Sequence, residues 1–234
     1  MNEFLSTFFW SALTLAVFFG WRRLFIALRH PILHPVLWAT IAVVVLLALD
    51  QHPVSAYRAE TEPLVWLLGP SVVAMAIPIW KQRALIVSHW KTLLLVVALG
   101  IMFSACSVLL LGPFVGWRDA KSLVPKSVTT AVAMGIIEES SSGRTADDQL
   151  VAPLLAVGIM ISALSGAVLG PLVLRLTGVR DRRAIGLALG CASIGVGTAR
   201  AFEIDSTAGA FASVGMSLTA VCAGLVLPWL LRLI

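Results

Sequence analysis

Long apolar runs, separated by short charged gaps, dominate the chain. A helix needs about 17–25 apolar residues to cross the hydrocarbon of a bilayer. By that measure crossings are predicted over residues 4–20, 32–49, 63–80, 92–114, 150–176 and 207–231. Residues 184–199 form a shorter, glycine-rich and weaker crossing. Residues 124–137 are only 14 long and open on Pro-Lys, which fits a re-entrant or broken segment better than a plain span. The pattern predicts an all-α polytopic integral membrane protein of about seven or eight transmembrane helices, some broken or re-entrant. Residues 1–61 are read as N-terminal transmembrane helices and 62–234 as a repeat-built core, within one membrane domain.

Composition agrees. Hydrophobic residues make up 59% of the chain, charged residues 12%, and mean hydropathy is +0.96, beyond the range of ordinary soluble domains. The net charge of +5 lies in the gaps rather than on one soluble face, so nucleic acid is not an expected partner. The segment MNEFLSTFFWSALTLAVFFGWRR has its arginines after the apolar run and no small-residue cleavage site, which predicts an uncleaved span. Cys106, Cys191 and Cys222 form no CxxC pair and read as packed, inert thiols. The tryptophans fall mostly near span ends, as interface anchors do. His30 and His34 have i,i+4 spacing, but Pro31 and Pro35 interrupt the helix that would align them, so no metal is expected. With no P-loop, Rossmann fingerprint, HExxH or GxSxG, the expectation is a non-enzyme without a cofactor.

Basic residues collect in three gaps and the tail: Arg22, Arg23, Arg29; Lys81, Arg83, Lys91; Arg175, Arg180, Arg182, Arg183; and Arg232. Alternate gaps carry Asp50, Glu60, Glu62; then Glu138, Glu139, Asp147, Asp148; then Glu203, Asp205. The positive-inside rule places the N-terminus outside and the C-terminus inside, and has 122–137 enter and leave by one face, with a single crossing there as the alternative.

The chain also repeats itself. Residues 98–115, ALGIMFSACSVLLLGPFV, align with 156–173, AVGIMISALSGAVLGPLV, at 11 of 18 positions. A weaker third copy from Val214 matches residues 157–176 at 7 of 20 positions, with 190–203 as its punctuated partner. Such repeats are common in secondary transporters, whose sites lie near the bilayer midplane on discontinuous helices.

The punctuated segments carry the candidate chemistry. In SLVPKSVTT, Pro125 suits the first position of a half-helix. The free N–H groups there favour an anion, with Lys126, Ser127, Thr129 and Thr130 adding donors. In the second segment, Gly197 and its neighbour Gly195 permit unusual backbone conformations, and Ser193, Thr198 and Arg200 supply hydroxyls and a guanidinium. Lys126 and Arg200 facing one cavity would bind a small carboxylate. The alternative pairs Arg200 with Glu203 and lets Lys126 snorkel. Residues 68–83 form a further broken helix with Gly69, Pro70 and Pro78, while Gly166xxxGly170 and Gly186xxxGly190 read as packing motifs.

LGPSVVAMAIPIWKQ, SLVPKSVTTAVAM, GAVLGPLVLRL and GLALGCASIGVGTARA, in this order over residues 68–201, resemble the LrgB/CidB family of bacterial membrane proteins. The resemblance implies a multi-pass protein of the bacterial cytoplasmic (inner) membrane, holin-like or antiholin-like, that modulates murein hydrolase activity and autolysis. It implies a small LrgA/CidA-type membrane partner and leaves a homo-oligomer open. Relatives implicated in pyruvate transport and in plastid glycolate/glycerate exchange imply a carrier of a small organic anion, a monocarboxylate. That carrier reading is the favoured expectation, with the holin-like modulator as its alternative. Two positions depart from the family pattern: Ile194 stands where a histidine is usual, and Ala131 where a proline often follows PKSVTT. A proton-coupling role resting on that histidine is not carried over.

Overall fold

The computed structural model describes residues 2–28, 35–140 and 151–233. His30, His34, Asp147 and Asp148 lie outside them. Every regular element among the described residues is helical, and the chain is an all-α polytopic membrane protein. Among the described residues, six segments are long and apolar enough to cross a bilayer. The elements divide into two compact units, Met1–Ile77 and Pro78–Ile234.

In the first unit, α1 (Asn2–Leu28), α2 (Pro35–Leu49) and α3 (Val54–Glu60) pack together around a polar knot. Trp10 stacks on His52 at 4.7 Å and meets Tyr57 edge-on at 5.7 Å. Thr14 Oγ1 lies 2.9 Å from the Tyr57 hydroxyl, and His52 Nε2 lies 2.7 Å from Glu60 Oε2. Trp10 is therefore a buried packing residue rather than an interface anchor; Trp66, Trp80, Trp90, Trp117 and Trp229 are exposed, as anchors are. Next come α4 (Glu62–Trp66), α5 (Leu68–Ala74) and α6 (Ala76–Lys81), the broken helix expected over residues 68–83, with single-residue interruptions at Leu67 and Met75.

The second unit continues with α7 (Arg83–Ser88), α8 (Trp90–Leu109), α9 (Gly112–Val115), α10 (Trp117–Leu123), a 3-10 turn over Val124–Ser127, α11 (Thr130–Ser140), α12 (Val151–Leu176), α13 (Arg182–Ile204) and α14 (Ser206–Leu233). On α8 the buried residues are Leu93, Val97, Ile101, Ala105 and Val108, one stripe at helical spacing, while Leu95, Leu99, Met102 and Phe103 are exposed. An apolar helix thus turns one face to the core and the other outward to lipid.

α13 is not a straight crossing. At about 1.5 Å per residue, 23 helical residues would span roughly 34 Å. Yet Arg182 at its start is ion-paired with Asp205 just past its end, at 2.9 Å. The chain doubles back at Ser193 (φ −130°, ψ 16°) and Ile194 (φ 45°, ψ −138°). The first arm runs parallel to α14, with Gly186 against Ala208 and Gly190 against Ala212. The second runs antiparallel to it, with Phe202 over Gly209 and Thr198 beside Met216. α13 is a re-entrant hairpin, and its two termini define the Asp181 end of the bundle.

The first punctuated segment doubles back from the opposite end. α8 starts at the Asp181 end, where a cavity of about 280 Å³ is lined by His89 and Thr92 together with Asp181 and Arg183. Its 20 residues carry the chain roughly 30 Å across. There Trp117 packs on Gly112, so α10 begins where α8 finishes. α11 ends beside the finish of α14, where Arg232 Nη2 donates to the Glu139 carbonyl and to Glu139 Oε1, both at 2.6 Å. Residues 117–140 therefore enter and leave at the Glu139 end, the re-entrant path expected for 122–137.

The charge assignment needs correction. Glu203 and Asp205 were placed on the side opposite Arg175–Arg183, and Arg232 on the same side. The structure places Asp205 with Arg182 and Arg232 at the other end. The cause is the fold-back of α13, which adds no crossing between the two gaps.

Candidate functional site

α12 is the backbone on which both hairpin tips rest. Its 26 residues centre between Ala163 and Leu164. Leu123, just before the first tip, packs on Gly158; Ser162 Oγ donates to the Ala192 carbonyl at 3.4 Å; Ser193 lies on Gly166. The levels of Leu123 and Ala192 on α12 are four residues apart, about 6 Å. Both turns therefore sit side by side near the middle of a membrane-length helix.

Small residues make this approach possible. A Cβ on Gly166 would collide with the Ser193 side chain, and one on Gly197 would lie 2.5 Å from Ser193 Cβ and against the Leu189 carbonyl. Gly197 is needed for close contact between the arms, not for an unusual backbone angle. The left-handed conformation that was expected of the glycines falls on Ile194, where a β-branched residue is strained by on the order of 1–3 kcal/mol. Gly166, Gly170, Gly186 and Gly190 all pack against neighbours, as their spacing indicated.

At the first tip, Pro125 is buried inside the 3-10 turn, and the half-helix aimed away from the break begins at Thr130 instead. Pro125 occupies the second position of a four-residue turn that starts at Val124 and ends at Ser127. Val128 is extended (φ −115°, ψ 169°), and the Thr129 carbonyl accepts the first α11 hydrogen bond from Ala133 N at 2.9 Å. The N–H groups of Thr130, Ala131 and Val132 precede that bond and have no intrahelical acceptor. Lys126 is half-buried, and among the described residues no hydrogen bond or ion pair holds its ammonium. A lysine at this depth costs about 2.5–3.5 kcal/mol on insertion scales.

Buried hydroxyls mark both tips. Ser127 Oγ and Ser193 Oγ are enclosed by protein and have no hydrogen-bond partner. Leaving such a group unpaired costs about 1–3 kcal/mol. Thr219 Oγ1 on α14 is also without a regular partner, but it neighbours the Cys191 thiol, a weak one. Thr198 is satisfied locally, donating to the Ile194 carbonyl at 2.9 Å, and Thr129 and Thr130 lie partly and fully open. Arg200 Nη1 bonds Glu203 Oε2 at 2.5 Å, the pairing that was the alternative to facing Lys126.

The structure thus brings Pro125, Lys126, Ser127 and Thr129 together on one turn and Ser193, Gly197 and Thr198 on the other. Ser162 and Gly166, which seat the second tip, escaped the sequence reading, although Gly166 stood in the packing motif. A groove of about 370 Å³ between α12 and the first arm of α13 reaches this seat past Gly166 and Ala192. Among the described residues no group of His, Cys, Asp and Glu has the makings of a metal site.

Residues 14–233 match the LrgB-like family. The chain is 28% identical to the holin-like protein CidB of Staphylococcus epidermidis over 235 aligned positions, covering 100% of this chain and 99% of that protein. It is 34% identical to the uncharacterized protein YxaC of Bacillus subtilis, covering 89% and 88% of the two chains. An uncharacterized protein of Haemophilus influenzae is 30% identical, over 81% of this chain and 79% of its own length. No solved structure matches.

Proposed function

The chain belongs to the LrgB-like family, and from that premise we propose that it is a holin-like membrane protein modulating murein hydrolase activity and autolysis. In this reading it sits in a bacterial cytoplasmic membrane and works with a small LrgA/CidA-type partner. The observation that carries it is similarity over 100% of this chain and 99% of a staphylococcal protein named holin-like. The test is to express or delete the chain, with and without the partner, and follow murein hydrolase activity on zymograms together with the lysis rate. Unchanged profiles in every combination would remove the reading.

A second reading is favoured by the broken helices: a carrier of small monocarboxylates such as pyruvate, glycolate or glycerate. Two re-entrant tips near mid-membrane, with a lysine and two hydroxyls that have no partner among the described residues, are costly features that a simple pore former does not need. Saturable uptake of a labelled monocarboxylate by proteoliposomes holding the chain, alone or with its partner, supports this reading. No uptake by folded protein in either case rejects it. The two readings overlap, because a carrier of an acidic metabolite alters autolysis indirectly.

A further inference from the structure

The sequence repeat and the fold coincide in one geometric relation. Residues 98–115 and 156–173 belong to α8 and α12, which run in opposite directions between the two ends. Their buried faces fall on equivalent positions: Val97, Ile101 and Ala105 on α8 correspond to Leu155, Ile159 and Ala163 on α12. Each helix then feeds a hairpin that enters from the end where that helix finishes. α8 leads to the hairpin from the Glu139 end, and α12 leads to the hairpin from the Asp181 end. These are two copies of one helix-plus-hairpin unit in opposite orientation, and their tips share the middle of α12.

Resting on the carrier reading above, we infer that the two hairpins are opposed gates to one anion site: the first tip is reached from the Glu139 end, the second from the Asp181 end. The anion lodges between the tips beside the Lys126 ammonium and the Ser127 and Ser193 hydroxyls, which find no other partner. Each hairpin's arms come from one side, so each tip shields the site from that side alone. Opening one tip exposes the site to one compartment while the other still closes it. Three features serve the second gate: the fold-back at Ile194, the close arm contact at Gly197, and the seat of the tip on Ser162 and Gly166. An anion bound at one tip meets groups that the inverted repeat presents from both directions.

The test uses the full chain with Cys106, Cys191 and Cys222 replaced by alanine, reconstituted in vesicles of known orientation. Thr129→Cys reports the first tip. Gly195→Cys, where an added Cβ meets nothing within 4 Å, reports the second. Arg232→Cys and Arg180→Cys mark the two ends. A membrane-impermeant thiol reagent is applied from each side. The expected result is Thr129→Cys labelling at least tenfold faster from the Arg232 side, and Gly195→Cys at least tenfold faster from the Arg180 side. Pyruvate in excess is expected to slow both by at least threefold. Labelling of both reporters from the same side, or of neither while both end markers react, overturns the inference. Correct sidedness without protection by pyruvate or any uptake rejects the carrier reading and leaves the opposed hairpins standing. Saturable uptake with both tips labelled from one side rejects the gates and leaves the carrier.

Discussion

Gly190→Ala is the sharpest test of the α13 hairpin. On the observed backbone an added Cβ at Gly190 falls against the Ala212 carbonyl group and lies 2.7 Å from Ala212 Cα. Ordinary contact begins at 3.4 Å, so the arm must move by at least about 0.7 Å against helix backbone, which has no rotamer with which to yield. Overpacking of this kind costs about 1–3 kcal/mol, roughly 5- to 150-fold in the folded-to-unfolded ratio. Alanine also gains about 0.5–1 kcal/mol over glycine in any helix interior, so an absolute stability would mix two effects. Gly195→Ala, with open space at its Cβ, has the gain without the clash. The quantity to measure is therefore the difference between the two variants in reversible unfolding of purified protein in mixed micelles, read by circular dichroism. We expect Gly190→Ala to be less stable by 1–3 kcal/mol. Equal stability would mean that the first arm does not lie on α14 as described, and the hairpin would have to be abandoned.

Three further outcomes are expected. Ile194→Gly should exceed Ile194→Ala in stability by about 1 kcal/mol, the reverse of the order in a normal helix, because both lose the side chain but only glycine accepts φ 45° without strain; the same micelle unfolding measures it. Asp181 has its carboxyl held down to about 2, first by the Arg183 side chain and then by the Arg183 backbone N–H. A folded value below the ordinary 3.9 means that its stabilisation is complete above about pH 4 and is lost as pH falls toward 2; acid titration should show that window in the wild type and not in Asp181→Asn, which keeps an N-cap. Under the carrier reading, Lys126→Gln should insert and fold normally yet lose monocarboxylate uptake, and unchanged uptake would remove Lys126 from the site.

Much of this was legible in the residues. Apolar run length identified the membrane class, because the bilayer fixes how long a spanning helix must be. The shortness of 124–137 identified one hairpin. The second was harder, because residues 182–204 are as long as a genuine crossing and only their glycines hinted otherwise. The repeat held the missing signal: residues 190–203 occupy the same place relative to their span as the first punctuated segment does to its own, so one topology should apply to both. Charge misled for a physical reason, since acidic residues weigh little in topology and Asp205 sits beside Arg182 as its partner. The start of the half-helix at Thr130 rather than Pro125 was hidden because proline's fixed φ serves a short 3-10 turn as well as an α-helix.

α14 is synthesised after both hairpins, yet both lean on it: α11 along its far half, both arms of α13 along its near half. Neither hairpin has arms long enough to cross a bilayer alone, so each holds a backbone turn at a depth where lipid cannot satisfy its polar groups. The nascent chain must therefore carry two unfinished loops until α14 is made, parked at the membrane surface or guarded by the insertion machinery. Assembly of the second unit accordingly waits for α14, which closes over segments synthesised long before it.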